Sequence, residues 1–400
     1  MAVTIHQEPQ LFTPVSNEMI WTFSSDQTGQ PNFSYKVQLY IDTALFGTYE
    51  VYPMAGIYSK FDASEYVRSF LKTHMSTEVD LVCETADQWN TVGVKVYESY
   101  GTPPELEAFA TASNIGFNGA LRYEKFAVWD HTTYYIDPLN PTDPVWLTYY
   151  PASEKQFTNF RDPFHAGILA KKSVTSYELQ LDIFDVTGTL TYTYTDGIGL
   201  YERVVMLDIC GQALVNNGWA TEPDFDDCSY YEVRLIATSG IDPMDVSISS
   251  PYIIYLDRSC NRFPEQRIYW MNKFGVIDQY IFDKLRIDAS TVQNYGYQVQ
   301  RGSWIGENYV LSLTDAEKKS AMKTASDTII LNSDWMKPAV QNWLVRELYE
   351  SPQVWMYIEG NYTPVVVENN ANVLKSRFKD GLIQETVNIT VTYSYRSQLN

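Results

Sequence analysis

The stretch RIYWMNKFGVIDQYIFDKL, residues 267–285, alternates its side chains with the two-residue period of a β-strand on both sides of a short centre. In the first strand, Trp270 points to the opposite side from its neighbours Tyr269 and Met271. In the second strand, Tyr280 and Phe282 point to the opposite side from Ile281. The segment between the arms, residues 273–275, is Lys-Phe-Gly and supplies a turn. The stretch therefore predicts a β-hairpin whose aromatic side chains point into a core.

The composition predicts a β-rich protein of several domains. At 400 residues the chain exceeds the size at which a single hydrophobic core keeps growing, so two or three domains are expected. It contains 31 Tyr, 18 Phe and 10 Trp, which are residue types that favour strands and interfaces. We predict a mainly β fold with two or three antiparallel β-sandwich or barrel-like domains and a few short helices.

The first part of the chain predicts strands and one helix. Residues 33–52 (FSYKVQLYIDTALFGTYEVY) form two alternating runs around a Gly-containing turn, which is typical of an antiparallel pair. The run FDASEYVRSFLK then predicts a helix with Asp62 as its N-cap. Residues 92–100 (VGVKVYESY) predict a further strand, and GTPPELEAFATASN (101–114) predicts a connector because it contains Gly, paired Pro and small residues.

The middle of the chain continues the β character without a helix. Residues 177–197 (YELQLDIFDVTGTLTYTYTDG) alternate on both sides of Thr-Gly and predict a hairpin. YYEVRLIA (230–237) and YIIYLD (252–257) predict further strands. The predicted domains are an N-terminal β-sandwich with one helix (1–120), a middle β domain (121–260) and a C-terminal α+β domain (261–400).

The C-terminal part predicts one amphipathic helix and a two-faced last strand. Pro338 begins a helical pattern whose apolar stripe is formed by Val340, Trp343, Leu344 and Leu348. In the last strand one face carries Val387, Ile389, Val391, Tyr393 and Tyr395. The opposite face is uncharged and rich in Thr, which protects an exposed edge poorly. We therefore expect this strand to pair with another subunit.

Three segments of this C-terminal part resemble structural virion proteins of tailed bacteriophages that infect Bacteroidetes, crAss-like phages among them. In those proteins a strand of the type L-x-W-x-N-x-x-G-G-x-D-x-F-x-F precedes an N-S-D-W helix and a terminal β-hairpin. The matching residues here are Trp270, Asn272, Gly275, Asp278 and Phe282, followed by Asn332, Ser333, Asp334 and Trp335. The chain departs from the pattern at Val276, where a second Gly is usual, and at Tyr280, where Phe is usual.

The resemblance implies a structural, non-enzymatic part of the neck, tail hub or baseplate, arranged as a ring of identical copies. The expected partners are other copies of the chain and neighbouring neck, tail or fibre proteins in the virion, with synthesis in the host cytoplasm. The motif positions, together with Trp343 of the helix stripe and two tyrosines of the last strand, are the candidate structural or interface residues: Trp270, Asn272, Gly275, Asp278, Phe282, Trp335, Trp343, Tyr393 and Tyr395. A receptor-binding or carbohydrate-binding tail adhesin is the alternative, because exposed Trp and Tyr can stack on sugars.

The charge and the polar residues argue against several other functions. With 49 acidic and 29 basic residues the net charge is −20, which repels nucleic acid and anionic membranes. No run of apolar residues is long enough for a membrane helix. The four cysteines are far apart and are predicted to be buried thiols.

Metal, cofactor and catalytic sites are not predicted. Asp130-His131 and the pair Asp162 and His165 each offer two ligands, whereas a metal site needs three or four. The acidic loop EPDFDDCS (around 222–227) lacks the Gly-containing calcium-loop pattern. The motifs G-x-S-x-G, H-E-x-x-H and G-x-x-x-x-G-K-[ST] are absent from the sequence, so we expect no enzyme activity.

Overall fold

The computed structural model of the chain describes residues 3–75, 81–83, 85–139, 143–171, 176–199, 203–238, 246–258, 262–311, 317–358, 361–368, 382–392 and 395–396. These residues form a mainly β structure with several antiparallel sheets, as the composition and the alternating patterns predicted. The α-helices of the described part are α1 (Ser64–Arg68), α2 (Tyr123–Phe126), α3 (Gly211–Asn216) and α4 (Pro338–Leu348).

The chain divides into two compact units. The first unit consists of Met1–Ser259 and Met271–Gln279, and the second consists of Cys260–Trp270 and Tyr280–Asn400. Strands up to Leu256 are β1 (Thr4–Gln7), β2 (Phe12–Pro14), β3 (Ile20–Ser24), β4 (Ser34–Ile41), β5 (Ala44–Val51), β6 (Tyr58–Asp62), β7 (Val82–Cys83), β8 (Trp89–Gly101), β9 (Pro104–Phe117), β10 (Tyr135–Ile136), β11 (Gln156–Thr158), β12 (His165–Ala170), β13 (Ser176–Asp185), β14 (Leu190–Ile198), β15 (Val204–Asp208), β16 (Cys228–Thr238), β17 (Val246–Ile248) and β18 (Tyr252–Leu256).

The remaining strands begin with the aromatic hairpin. They are β19 (Gln266–Met271), β20 (Ile277–Phe282), β21 (Ile287–Gln298), β22 (Ser303–Ile305), β23 (Asn308–Val310), β24 (Lys318–Asn332), β25 (Val354–Ile358), β26 (Asn361–Val367), β27 (Thr386–Val391) and β28 (Tyr395–Arg396). The predicted hairpin at residues 267–285 is thus confirmed as β19 and β20, with its turn around Gly275.

The N-terminal core is formed by two sheets. A five-stranded sheet has the order β2-β9-β8-β4-β5, and a three-stranded sheet has the order β1-β3-β6. Trp21 and Phe23 from β3 pack in one buried cluster with Tyr35 from β4 and Val94 from β8. These positions are the inward-facing members of alternating runs, so the two-residue period explains the core directly.

Two local predictions in this region are wrong. Helix α1 begins at Ser64 with Ala63 as N-cap residue, while the Asp62 carboxylate accepts hydrogen bonds from the backbone N–H groups of Ser64 and Met19. Residues 101–114 are not a connector, because most of them belong to β9, which pairs with β8 along its length. The small side chains Ala110 and Ala112 pack against the core, and small apolar residues carry a weak strand signal.

The middle core also lies between two sheets. A sheet with the order β11-β18-β16-β13-β14, in which β17 also pairs with β16, shares a buried cluster with the sheet β10-β12-β15-β7. The predicted hairpin at 177–197 is confirmed as β13 and β14, and its turn is fastened by the Asp185 carboxylate, which accepts hydrogen bonds from the N–H groups of Thr187 and Thr189. Cys83, Cys210 and Cys228 are buried thiols as predicted, whereas Cys260 lies outside the described residues.

The C-terminal sheet has the order β20-β19-β25-β26-β27-β24-β21, and β28 pairs with β24. Helix α4 begins at Pro338, and its predicted stripe of Val340, Trp343, Leu344 and Leu348 is buried. Val387 and Ile389 of β27 are buried as predicted. The expectation that this strand offers an exposed edge is wrong, because β27 is paired on one side with β26 and on the other with β24.

Candidate assembly surface

The turn of the aromatic hairpin is organised around the side chain of Asn272, which is buried. Its Oδ1 accepts hydrogen bonds from the backbone N–H groups of Phe274 (2.9 Å) and Val276 (3.3 Å). Its Nδ2 donates to the carbonyl oxygen of Leu147 at 2.8 Å. One amide side chain therefore closes the turn and fastens it to another segment of the first unit.

Gly275 occupies a position that no other residue type fits. Its φ is +74°, in the left-handed region, and a Cβ built there would lie 1.6 Å from the backbone oxygen of Asn118. Its carbonyl oxygen accepts a hydrogen bond from Oγ1 of Thr73 at 2.8 Å. Val276, which replaces the second Gly of the resembled pattern, is buried, and its side chain fills the space beside Gly167.

Asp278 and Phe274 complete the contacts of the turn within the first unit. The Asp278 carboxylate is buried and accepts a hydrogen bond from Oγ1 of Thr148 at 3.1 Å. The Phe274 ring lies 4.6 Å from that of Tyr149 and 5.0 Å from that of Tyr134, measured between ring centroids. The matched positions of this turn are therefore packing and hydrogen-bonding residues of the first unit.

The aromatic residues Trp270 and Phe282, in the two strands of the aromatic hairpin, are core residues of the second unit. Trp270 and Phe282 are fully buried, and the rings of Trp270 and Trp343 lie 5.2 Å apart between centroids. The half-buried Tyr280 contacts Phe282 edge-on at 5.1 Å. The prediction that Trp270, Phe282 and Trp343 face inward is confirmed, so these rings do not form a surface platform for a ligand.

The N-S-D-W motif also has a structural explanation. Ser333 is buried, its N–H donates to the carbonyl oxygen of Glu385, and its Oγ accepts from the N–H of Glu385, both at 2.9 Å. Trp335 is 60% exposed, so of the matched aromatic residues it is the one that presents a surface. Tyr393 lies outside the described residues, and the backbone of Tyr395 pairs with Ala325 in β24.

The polar clusters singled out in the sequence are local structural features. The Asp130 carboxylate accepts hydrogen bonds from the N–H and Oγ1 of Thr132, and these bonds lower the pKa of Asp130. In the acidic loop, Asp224 forms a reciprocal cap with Thr221 at the start of a short 3₁₀ turn. Within the described ranges, no three His, Cys, Asp or Glu side chains converge into a group that could hold a metal ion.

The feature that sequence reasoning missed is a long hairpin, here called the arm, formed by β21 and β24 with the small hairpin β22–β23 at its tip. The two long strands pair from Ile287 opposite Ile330 to Gln298 opposite Lys318. Every residue of β21 is exposed. The strand is therefore held by its backbone ladder and not by burial in a core, which is why its side chains carry no apolar alternation.

The tip of the arm exposes a group of large apolar side chains. Trp304 is 69% exposed and Ile305 is 66% exposed, and Val310 and Leu311 are exposed beside them. The rings of Trp304 and Tyr309 contact each other edge-on at 5.2 Å across the β22–β23 pair. Large contiguous apolar patches are uncommon on monomeric soluble proteins and usually mark interaction sites.

Comparison with known proteins adds no family to this picture. No protein-family model matches the chain, and no curated protein matches it significantly. Each helix in the described part of the chain is too short or too polar to span a lipid bilayer.

Proposed function

We propose that this chain is a structural component of a tailed-phage virion that forms, or attaches to, a homo-oligomeric ring in the neck, tail or baseplate. The resemblance of the aromatic hairpin and the N-S-D-W segment to such virion proteins supports the class of protein. Self-assembly is inferred from one observation: strand β21 of the arm is exposed at every position, and the tip of the arm exposes large apolar side chains.

In a monomer, the arm would leave large apolar side chains in contact with water, which is unfavourable. Trp304, Ile305 and Leu311 lie at the tip with most of their surface in water. Complete burial of one such side chain against a neighbour contributes on the order of 2 kcal/mol. Docking of Trp304, Ile305 and Leu311 together therefore contributes about 6 kcal/mol toward the roughly 4 to 15 kcal/mol that association costs in lost freedom. A component of a multi-copy ring uses such a surface, because each neighbour in the ring covers it.

The experiment measures the mass of the purified full-length chain in solution by light scattering after size-exclusion chromatography. A variant replaces residues 296–321 with Asn-Gly, which joins the directly paired residues Tyr295 and Met322 by a two-residue hairpin turn. We expect the natural chain to form an oligomer with a defined number of copies. The shortened chain should form particles with fewer copies, after its smaller chain mass is taken into account. A natural chain that remains monomeric at tens of micromolar, as a rough working range for weak association, would refute self-assembly into a ring.

A matched pair of point variants tests whether the tip itself makes the contact. Ile305→Ser removes an exposed aliphatic side chain at the tip, and Val186→Ser removes one at the tip of the β13–β14 hairpin, where the side chain is also exposed. We expect Ile305→Ser to weaken association and Val186→Ser to leave it unchanged. Equal effects of the two variants would show that general surface hydrophobicity, and not the arm, drives association.

The tail adhesin remains the second candidate because one groove of the first unit displays aromatic and acidic side chains together. Tyr66, Tyr123 and Phe126 line it with Glu18 and Glu65. Tyrosine rings can stack on sugars while carboxylates accept hydrogen bonds from hydroxyl groups. A monomeric protein that binds host surface polysaccharide, with binding lost in Tyr123→Ala, would favour this function over the ring component.

A further inference from the structure

We propose that the outer edge of β21 pairs antiparallel with the same strand of a second copy, about a two-fold axis that passes through Val292. This inference rests on the proposed self-assembly and names the contact that joins two copies. A two-fold contact closes on itself as a dimer, so in a ring it would join copies in pairs.

The first observation is that β21 ends its sheet. The strand order of the C-terminal sheet stops at β21, and within the described residues no other strand pairs with its outer side. The strand is 12 residues long and exposed at every position. An edge of this length presents a row of backbone N–H and C=O groups that can hydrogen-bond to an added strand.

The second observation is that this edge lacks the features that normally prevent pairing. Residues 289–300 (ASTVQNYGYQVQ) contain neither a charged side chain nor a proline. The irregularity in the β21–β24 ladder places its extra residue, Ala321, on β24, so β21 itself runs without a bulge. Natural proteins protect exposed edges with lysines, prolines and bulges, and β21 has none of them over these residues.

Symmetry restricts the register of such a pair. Two identical antiparallel strands in one sheet are related by an axis perpendicular to the sheet, so each residue faces one that points to the same side. Centring the pair on Val292, which is 58% exposed, overlaps almost the whole strand. It sets Ile287 opposite Tyr297 and Ala289 opposite Tyr295. Asp288 lies opposite Gly296, so no two like charges meet directly.

The absence of charge along the paired part of the edge favours a second copy as the occupant. On one face of the arm Asp327 lies opposite Ser290, and Lys323 lies opposite Asn294. In the proposed register Ser290 of one copy faces Asn294 of the other. Asp327 of each copy then lies in the same cross-strand row as Lys323 of the second copy, about 15 Å away, so these opposite charges do not oppose the pair and salt screens most of their attraction. The uncharged edge also lets two chains of net charge −20 approach where they repel least.

The test is Val292→Lys in the full-length chain, with Val292→Thr as the matched control. The lysine places two positive charges next to each other on the axis, whereas threonine keeps a β-branched, uncharged side chain. We expect Val292→Lys to raise the dissociation constant of the pair roughly tenfold, measured by sedimentation, and Val292→Thr to leave it close to that of the natural chain. Circular dichroism checks that both variants are folded.

Cysteine cross-linking tests the register independently. Under mild oxidation Val292→Cys should form a disulfide between copies, since residues on the axis are direct neighbours. Ala289→Cys should not, because Ala289 faces Tyr295 of the other copy. Unchanged association of Val292→Lys, or cross-linking of Ala289→Cys without Val292→Cys, would overturn this inference while leaving oligomerisation through the arm tip intact. A monomeric natural chain would overturn the proposed self-assembly as well.

Discussion

Replacing Gly275 with alanine should destabilise the first unit strongly, because two separate physical costs add at this position. The left-handed backbone, with φ of +74°, costs a residue with a Cβ about 1 kcal/mol. The new Cβ would also lie 1.6 Å from the backbone oxygen of Asn118, so the turn has to move by more than an ångström. A backbone oxygen cannot rotate away as the end of a flexible side chain can.

The movement has a cost that can be estimated from the hydrogen bonds it disturbs. The Gly275 oxygen accepts from Thr73, and the Lys273 oxygen accepts from the N–H of Ala120, both at 2.8 Å. Losing each of these bonds costs about 1 to 1.5 kcal/mol. Together with the backbone cost, Gly275→Ala should lower the free energy of unfolding by about 3 to 4 kcal/mol.

Gly188→Ala is the matched control for this measurement. Gly188 also has a left-handed backbone, with φ of +78°, but a Cβ there has nothing within 4 Å. It should cost only the backbone term of about 1 kcal/mol. Urea unfolding of the full-length chain, followed by circular dichroism and tryptophan fluorescence, compares the two variants. Equal destabilisation by both would refute the argument that contact with Asn118 makes glycine necessary.

Two further perturbations test the core. Trp343→Ala should destabilise the second unit by about 3 to 5 kcal/mol because the ring is buried, whereas Trp335→Ala, which removes an exposed ring, should change the urea midpoint little. Burial raises the pKa of Tyr35 to about 12 and that of the Cys228 thiol to about 12. The unfolded chain begins to release these protons near pH 9 to 10, while the folded chain keeps them up to about pH 12, so stability should fall as pH rises from about 9 to about 12. The part of the phenolate absorbance that comes from buried rings such as Tyr35, measured as the difference from Tyr35→Phe, should then rise together with the loss of circular dichroism, and ionisation of Tyr35 near pH 10 in a folded chain would contradict this.

The sequence predicted best where burial and period act together. The hairpin at 267–285 and helix α4 were predictable because an apolar face repeats every two residues in one and every three to four in the other. Residues 101–114 were missed as a strand because alanines contribute to a core through size and not through a strong hydrophobic signal. The arm was missed because β21 and the outer part of β24 are held by backbone hydrogen bonds, which every residue type except proline can donate, whereas Ile329 and Leu331 at the base of β24 are buried.

For the candidate assembly surface, too, some features were determined by the sequence and others only by the tertiary structure. The sequence by itself determined that Trp270, Phe282 and Trp343 are inward-facing, because alternation within a strand or helix is a local property. Only the tertiary structure decided that Gly275 is confined by the backbone of Asn118, that β27 is an interior strand, and that β21 ends its sheet. These facts depend on which distant segments become neighbours. Strand order is set by long-range pairing, and no local pattern of side chains records it.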